Sequence, residues 1–379
     1  MRVIVVGAGI GGLAVAVGLR QAGVDVQILE RAERVRAHGS GLSLFRNGFR
    51  ALDAIGIGEQ VRATAGTAVA VHQSGSRSRD GSWLTRMGPA STNDVRVIDR
   101  ADLHRILLAS VAPDSIRTGA VVASVTASSV VLDTGEHRSA DVIVGADGLR
   151  SAVRSSAFDD PGVRDSGYGA WRAITTRPVV TDAAGESVGR GERFGIAPLA
   201  DGRVYWFACV STPPGSSPAG DAAMEEVRRR FGHWHQPIEE ILDATDPASV
   251  SYLPIEELAA PLASFVSGRR VLIGDAAHAM TPNLGQGANL AIEDAATLAT
   301  LLIAAAKHNN ELPAVLARYD ALRRRRTQRI ARQARVLGAV MQASHPVTAT
   351  LRDLAMRSVP ARAVDSRVRA VTSWSPPTA

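Results

Sequence analysis

The chain opens on a glycine cluster, Gly7-Ala8-Gly9-Ile10-Gly11-Gly12. It lies between the β-branched run Val3 to Val6 and an apolar stretch of helical character, Leu13 to Ala22. In that setting glycines handle phosphate through the backbone alone. Gly7 permits a tight turn, Gly9 lets the main chain approach a pyrophosphate, and Gly12 lets the helix pack close to the strand. The N-terminus of the helix that follows then offers free N–H groups and a favourable dipole to an anion. Glu30 ends the next apolar run, Val24 to Leu29, where a carboxylate accepts hydrogen bonds from an adenosine ribose. The cluster reads as a dinucleotide site without specifying the dinucleotide. A glycine-rich turn with no ligand is the plain alternative.

Two further motifs place an aspartate just beyond a short apolar run. Val144-Gly145-Ala146-Asp147-Gly148-Leu149-Arg150-Ser151 follows the strand-like Val142 to Val144. Gly274-Asp275-Ala276-Ala277-His278 follows Val271 to Ile273 and continues through Pro282, Gly285, Gln286, Gly287 and Ala288 to Asn289, where a long helix begins. A turn or N-cap role is the plain reading of Asp275, and His278 reads as a packed structural histidine.

These motifs need elements to hold them. The pattern predicts strands at Val3–Val6, Val24–Leu29, Val142–Val144 and Val271–Ile273. It predicts helices at Leu13–Ala22, at 48–57, at 100–112 with Asp99 as N-cap, and at 289–306 and 312–342. Between the second and third motifs the texture changes: Tyr168, Trp171, Phe194, Tyr205, Trp206 and Phe207 fall in β-rich runs, the mark of a mixed or antiparallel sheet. The expected class is α/β: a discontinuous Rossmann-like domain over 1–70, 95–160 and 268–345, an inserted mixed-sheet domain over 71–94 and 165–267, long C-terminal helices, and a helical or loose tail over 346–379.

Composition narrows the class. A length of 379 residues suggests about two structural units. The 45% hydrophobic and 21% charged residues suit a globular enzyme. The net charge of +6 is carried by arginine, Lys307 being the single lysine. The arginines are scattered apart from Arg323 to Arg326, a run expected on a solvated helix face; it lacks the interleaved aromatics of a nucleic-acid binder. Cys209 stands alone, so no internal disulfide or zinc spacing exists, and a reducing cytoplasm is expected. The N-terminal apolar stretch is broken by glycines and Ala288 to Ala306 carries Glu293 and Asp294, so neither a leader nor a membrane span is expected.

Taken together, the three motifs resemble those of the flavoprotein aromatic hydroxylases, the family of para-hydroxybenzoate, salicylate and urate hydroxylases, in order and separation over roughly residues 1 to 345. The resemblance implies a GR2-type FAD-binding fold and non-covalent FAD, since no flavin-attaching Cys or His is recognisable. It implies NADH or NADPH and O2 as co-substrates, and hydroxylation of a small aromatic or heteroaromatic ring through a flavin C4a-hydroperoxide. By the same resemblance, Gly7, Gly9, Ile10, Gly11, Gly12 and Glu30 would hold the ADP half, with Arg31 and Arg36 nearby. Arg100 and Val122 would contact the cofactor, and Asp147 and Gly148 would serve both FAD and the pyridine nucleotide. Asp275 would bond the ribityl or pyrophosphate region, and Pro282, Gly285, Gly287, Ala288 and Asn289 would line the flavin ring. An acidic residue after a strand can accept from ribityl hydroxyls, and a helix N-terminus stabilises charge on a reduced flavin, in agreement with that placement.

Tyr168, Trp171, Arg172, Arg193, Tyr205 and Phe207 are the substrate candidates. Arg193 and Tyr205, which match substrate-facing positions of the urate-type members, are also the candidates for a catalytic role. Ordinary sheet core is the plain alternative for each. Arg46 departs from the family, which usually has proline there. The neighbourhood of Asn283 lacks the acid expected for urate chemistry. A hydroxylase or epoxidase of a larger polycyclic or prenylated product, and a redox-quiet FAD binder, remain open. So does the choice between monomer and homodimer.

Overall fold

A computed structural model describes residues 1–20, 22–35, 40–65, 73–93, 95–211, 221–308 and 311–378. Arg36, one of the basic positions named above, lies outside them. The strand Arg2–Val6, buried at four of its five residues, is central to a six-stranded sheet. The strand order is Val266–Ser267, Arg270–Leu272, Val142–Gly145, Arg2–Val6, Asp25–Leu29, Ile116–Arg117. All pairs are parallel except the Val266–Ser267 edge. Such continuous apolar runs suit a sheet covered on both faces. Because Val6 pairs with Gly145 and Gly145 with Leu272, the glycine cluster, the Asp147 turn and the Gly274-Asp275 turn leave neighbouring strands at the same, carboxyl end. That end is where open α/β sheets bind ligands.

The helices Ile10–Arg20 and Gly287–His308 pack closely, with Gly18 against Ala299. By length and composition Gly287–Lys307 could cross a membrane, which the sequence reading had set aside on account of Glu293 and Asp294. It is the central core helix of this fold, with 83% of that stretch buried, and both acids lie in the core at 0% exposure.

The second sheet has seven strands in the order Ser251–Leu258, Val163–Ile174, Val204–Ser211, Glu192–Pro198, Ala183–Val188, Gln73–Ser78, Trp83–Arg86. Ala183–Val188 runs parallel to Gln73–Ser78 and the other pairs are antiparallel, so the sheet is mixed. Its back face buries Phe194, Ile196, Trp206 and Val210 against Val227, Phe231 and Ile241 of the helices Asp221–Phe231 and Ile238–Asp243.

The segment beyond residue 345 is more ordered than a loose tail. It forms the helices Pro346–Ser358 and Ala361–Thr372. Asp365 accepts from Gly88 N at 2.9 Å and from Ser91 Oγ, Arg326 Nη2 donates to Val371 O at 2.8 Å, and Arg50 Nη1 donates to Trp374 O at 2.9 Å. These ties are polar and distant in sequence, so no apolar periodicity announces them.

Candidate functional site

The glycine cluster forms the turn its spacing implies. Gly7 has φ +101°, and a Cβ there would lie 2.6 Å from Ala146 O; a Cβ on Gly12 would strike Gly7 O. Over Gly9, and likewise over Gly287, a Cβ meets nothing within 4 Å. These open cradles lie where a pyrophosphate and a flavin ring would need main chain without side chain. Glu30 accepts from Ala8 N at 2.8 Å and Ala32 N at 2.9 Å, holding its carboxylate beside the turn. His104, which the sequence reading missed, pins the same turn through Nε2 and Ala8 O at 2.8 Å. Ile10 and Val122 are buried, whereas Arg31 and Arg100 are exposed. Asp99 caps the Arg100–Ala109 helix through Ala101 N, as expected.

The acidic motifs differ from each other. Asp147 accepts from Ser151 Oγ at 2.5 Å and Val153 N at 3.1 Å, so its carboxylate holds the capping Ser151 and the first turn of the Ala152–Ala157 helix; burial nonetheless pushes its pKa up. Gly148 beside it has φ +81°. Asp275, by contrast, is exposed at the start of the single-turn helix Asp275–His278. Buried Arg154 joins the two motifs, donating to Leu149 O at 2.7 Å and Ala276 O at 3.1 Å.

Beneath the third motif lies a buried ionic network. Asp294 accepts from Gly274 N at 2.9 Å, bonds His278 Nε2 at 2.6 Å, and accepts from Arg323 Nε at 2.6 Å. Glu293 accepts from Arg323 Nη1 at 2.6 Å, from Arg326 Nε and Nη2 at 2.8 Å each, and from Asn47 Nδ2 at 2.6 Å. Burial opposes the charge on Asp294, yet His278 and Arg323 hold its carboxyl below the ordinary range. The expectation of a solvated Arg323 to Arg326 run is therefore corrected: Arg323 is 1% exposed and both acids need its charge. His278 is the structural histidine the sequence suggested.

Pro282 opens a short turn over Pro282–Leu284, and Gly285 follows with φ +62°. Asn289 is fully buried. Its side chain accepts from Phe45 N at 3.0 Å and donates to Ser43 O and Gly285 O, so it braces the loop, and only its main chain, with that of Ala288, is left for a ring.

The substrate candidates divide by strand parity. Tyr168, Arg172, Arg193, Tyr205 and Phe207 share the front face of the seven-stranded sheet, toward the first domain. Tyr205 packs against Gly41, and Asn283 Nδ2 donates to Tyr168 Oη at 3.0 Å. Arg193 lies 5.4 Å from the Tyr168 ring centroid and is tied to Glu186 at 3.1 Å and Gln342 at 2.9 Å. Trp171 is a correction. Successive residues of a strand alternate faces, and it points backward into the core, 5.3 Å from the Tyr252 ring. Gln342 is a site neighbour that sequence reasoning did not name, and Asn283, noted there only for the acid its neighbourhood lacks, is another member of the site.

Three buried polar atoms on this side have no hydrogen-bond partner: Arg172 Nε, Arg193 Nη2 and Asn283 Oδ1. Burial holds the Tyr205 hydroxyl at a pKa of about 12 and the Cys209 thiol at about 11, so both stay protonated near neutrality. Such a face can donate hydrogen bonds and positive charge to a small ligand while excluding water. Among the described residues, its Cys209 thiol and Tyr205 hydroxyl are held in the protonated, weakly nucleophilic form.

Comparison with known proteins places this geometry. The family described as FAD binding domain matches residues 1–334. The aurachin C monooxygenase/isomerase of Stigmatella aurantiaca is 36% identical, covering 99% of each chain. The 3-amino-4-hydroxybenzoate 2-monooxygenase of Streptomyces cremeus is 34% identical over 94% of this chain and 92% of its own. Among solved structures, Klebsiella pneumoniae HpxO complexed with FAD and uric acid superposes with a TM-score of 0.87 at 26% identity, over 98% of this chain and 96% of that one.

Proposed function

Belonging to the FAD-binding family of flavoprotein hydroxylases, the chain is an FAD-dependent monooxygenase of small aromatic or heteroaromatic substrates, and we propose that it takes its electrons from NADH or NADPH and its oxygen atom from O2. Bound FAD supplies the redox and oxygen-activating chemistry; the protein binds, orients and keeps water away. In this reading the Gly7 to Gly12 turn and Glu30 hold the ADP half, with Gly9 giving main-chain access. Asp275 would accept from ribityl hydroxyls, and the N-terminus of the Gly287–His308 helix would favour negative charge on the flavin ring.

The observation that carries the substrate side is the set of buried, unpartnered donors on the front face. Arg193 would receive a carboxylate or enolate oxygen of the ring, because guanidinium forks match such oxygens. Tyr205, protonated up to about pH 12, donates a hydrogen bond rather than acting as a base. Phe207 would cover the ring and lower the local dielectric. One oxygen atom of O2 enters the substrate and the other leaves as water, balanced by the hydride and a proton.

The test is to load the protein with FAD and follow NADH and NADPH oxidation against a panel of phenols, aromatic acids and N-heterocycles, with product masses. Stimulated oxidation with a product heavier by one oxygen supports the reading. A flavin that neither nucleotide reduces anaerobically overturns it.

A further inference from the structure

The helix Arg46–Ala54 has two working faces. Inward, Asn47 bonds Gln286 and Glu293, and Phe45 just before the helix lies against Gly285. Outward, the helix borders a cavity of about 290 Å³ lined by Arg46, Phe49, Arg50, Asp53, Arg62 and Arg96. Four arginines meet one acid there. Asp53 is engaged by Arg62 through two hydrogen bonds of 2.7 and 2.6 Å. Arg62 and Arg96 approach the Phe49 ring at 5.0 and 6.0 Å. Arg50 is positioned by Trp374 O and Ser375 Oγ. Arg96 Nη1 is buried without a hydrogen-bond partner. A cavity with four arginines to one acid is a place for an acceptor with negative charge.

We propose that this cavity binds a phosphate monoester, the 2′-phosphate of NADPH, and thereby sets a preference for NADPH over NADH. The proposal rests on the reading that a nicotinamide nucleotide reduces the flavin. Guanidinium groups bind phosphate oxygens in a planar fork, and several converging on one cavity favour the dianion over a neutral hydroxyl. The cavity stands roughly one helix diameter, about 10 Å, from the Gly285–Gly287 loop. A dinucleotide can therefore be anchored by its phosphate on the outer face while its nicotinamide reaches the ring side. Arg46, which stands where the resembling family often has proline, belongs to this cavity.

The experiment uses the FAD-loaded enzyme. Binding of 2′,5′-ADP, 5′-AMP and inorganic phosphate is measured by calorimetry at low and high salt, and anaerobic flavin reduction by NADPH and NADH is followed for wild type, Arg96→Gln and Arg46→Gln. The expected result is that 2′,5′-ADP binds at least about tenfold more tightly than 5′-AMP, weakens with salt and is displaced by NADPH. Each variant should raise half-saturating NADPH about tenfold while moving that for NADH less than about twofold. The flavin spectrum and melting temperature show that the variants are folded, and the wild-type binding series needs no variant. The proposal is overturned if 2′,5′-ADP binds no better than 5′-AMP, if the variants shift both nucleotides alike, or if inorganic phosphate binds without competing with 2′,5′-ADP. Normal reduction with unchanged variants removes the phosphate site alone; a wild-type flavin reduced by neither nucleotide removes the reductant reading and the site with it.

Discussion

Below the Asp275 to Asn289 loop, charge is buried and closely matched: Glu293 and Asp294 are answered by Arg323, Arg326, His278 and Asn47. On the front face of the seven-stranded sheet, charge is buried and incompletely answered: Arg193 keeps one bare nitrogen, Arg172 another, and Asn283 a bare oxygen. The difference separates holding from recognising. A network whose charges are paired, though Asn47 Oδ1 and His278 Nδ1 keep no hydrogen-bond partner, locks a backbone into one shape, here the Gly274 turn that presents Asp275. A face with bonds unmade gains most from a ligand that completes them.

The sharpest way to break this comparison is Arg323→Ala. It removes the charge that two buried carboxylates share, leaving Glu293 to Arg326 and Asp294 to His278, and should cost about 3–5 kcal/mol, read as a lower denaturation midpoint together with loss of FAD on desalting. A change under about 1 kcal/mol would mean that the network does not hold the loop. Next comes Arg193→Gln. Losing a charged hydrogen bond to substrate should raise KM roughly ten- to hundredfold, with FAD retained and with Arg193→Lys recovering only part of the loss. Loss of FAD with KM unchanged would reverse the roles assigned to the two regions.

A pH series sharpens the first region further. The Asp294 carboxyl lies below its ordinary value of 3.8 in the folded protein, so its contribution is fully present above about pH 4 and is lost as pH falls through the folded value. Denaturation midpoints between about pH 6 and 2.5 should fall more steeply for wild type than for Asp294→Asn. Parallel curves would count against the ion pair. The smallest effect is expected for Trp171→Phe, about 1 kcal/mol of stability and less than about a twofold change in KM, because its ring fills the back face. A large change in KM would place that ring at the substrate after all.

Much of the fold was legible because it is local. Gly7 to Gly12 between a β-branched run and a helix leaves the backbone few choices, and Asp99 caps the helix it precedes. Two misreadings were correctable from sequence alone. In the helix Leu312–Met341 the buried positions Leu316, Tyr319, Arg323, Thr327, Ile330 and Ala334 form one stripe at spacings of three and four, and Arg323 stands on it while Arg324 and Arg325 do not. Charge type suggested solvent where periodicity indicated the core. Trp171 likewise has the opposite strand parity to Tyr168 and Arg172, a period-two signal that aromatic character obscured.

By itself the sequence determined the βαβ start, the open main chain at Gly9 and the acids that follow the strands, because these depend on neighbours a few residues apart. Tertiary structure alone decided which of those acids is free. Asp147 is taken up by a helix cap and Asp275 is left exposed. It alone paired Asn47 with Glu293 across 246 positions and Gly88 with Asp365 across 277. A buried charge must find its partner wherever the fold brings one, and no local pattern records that address.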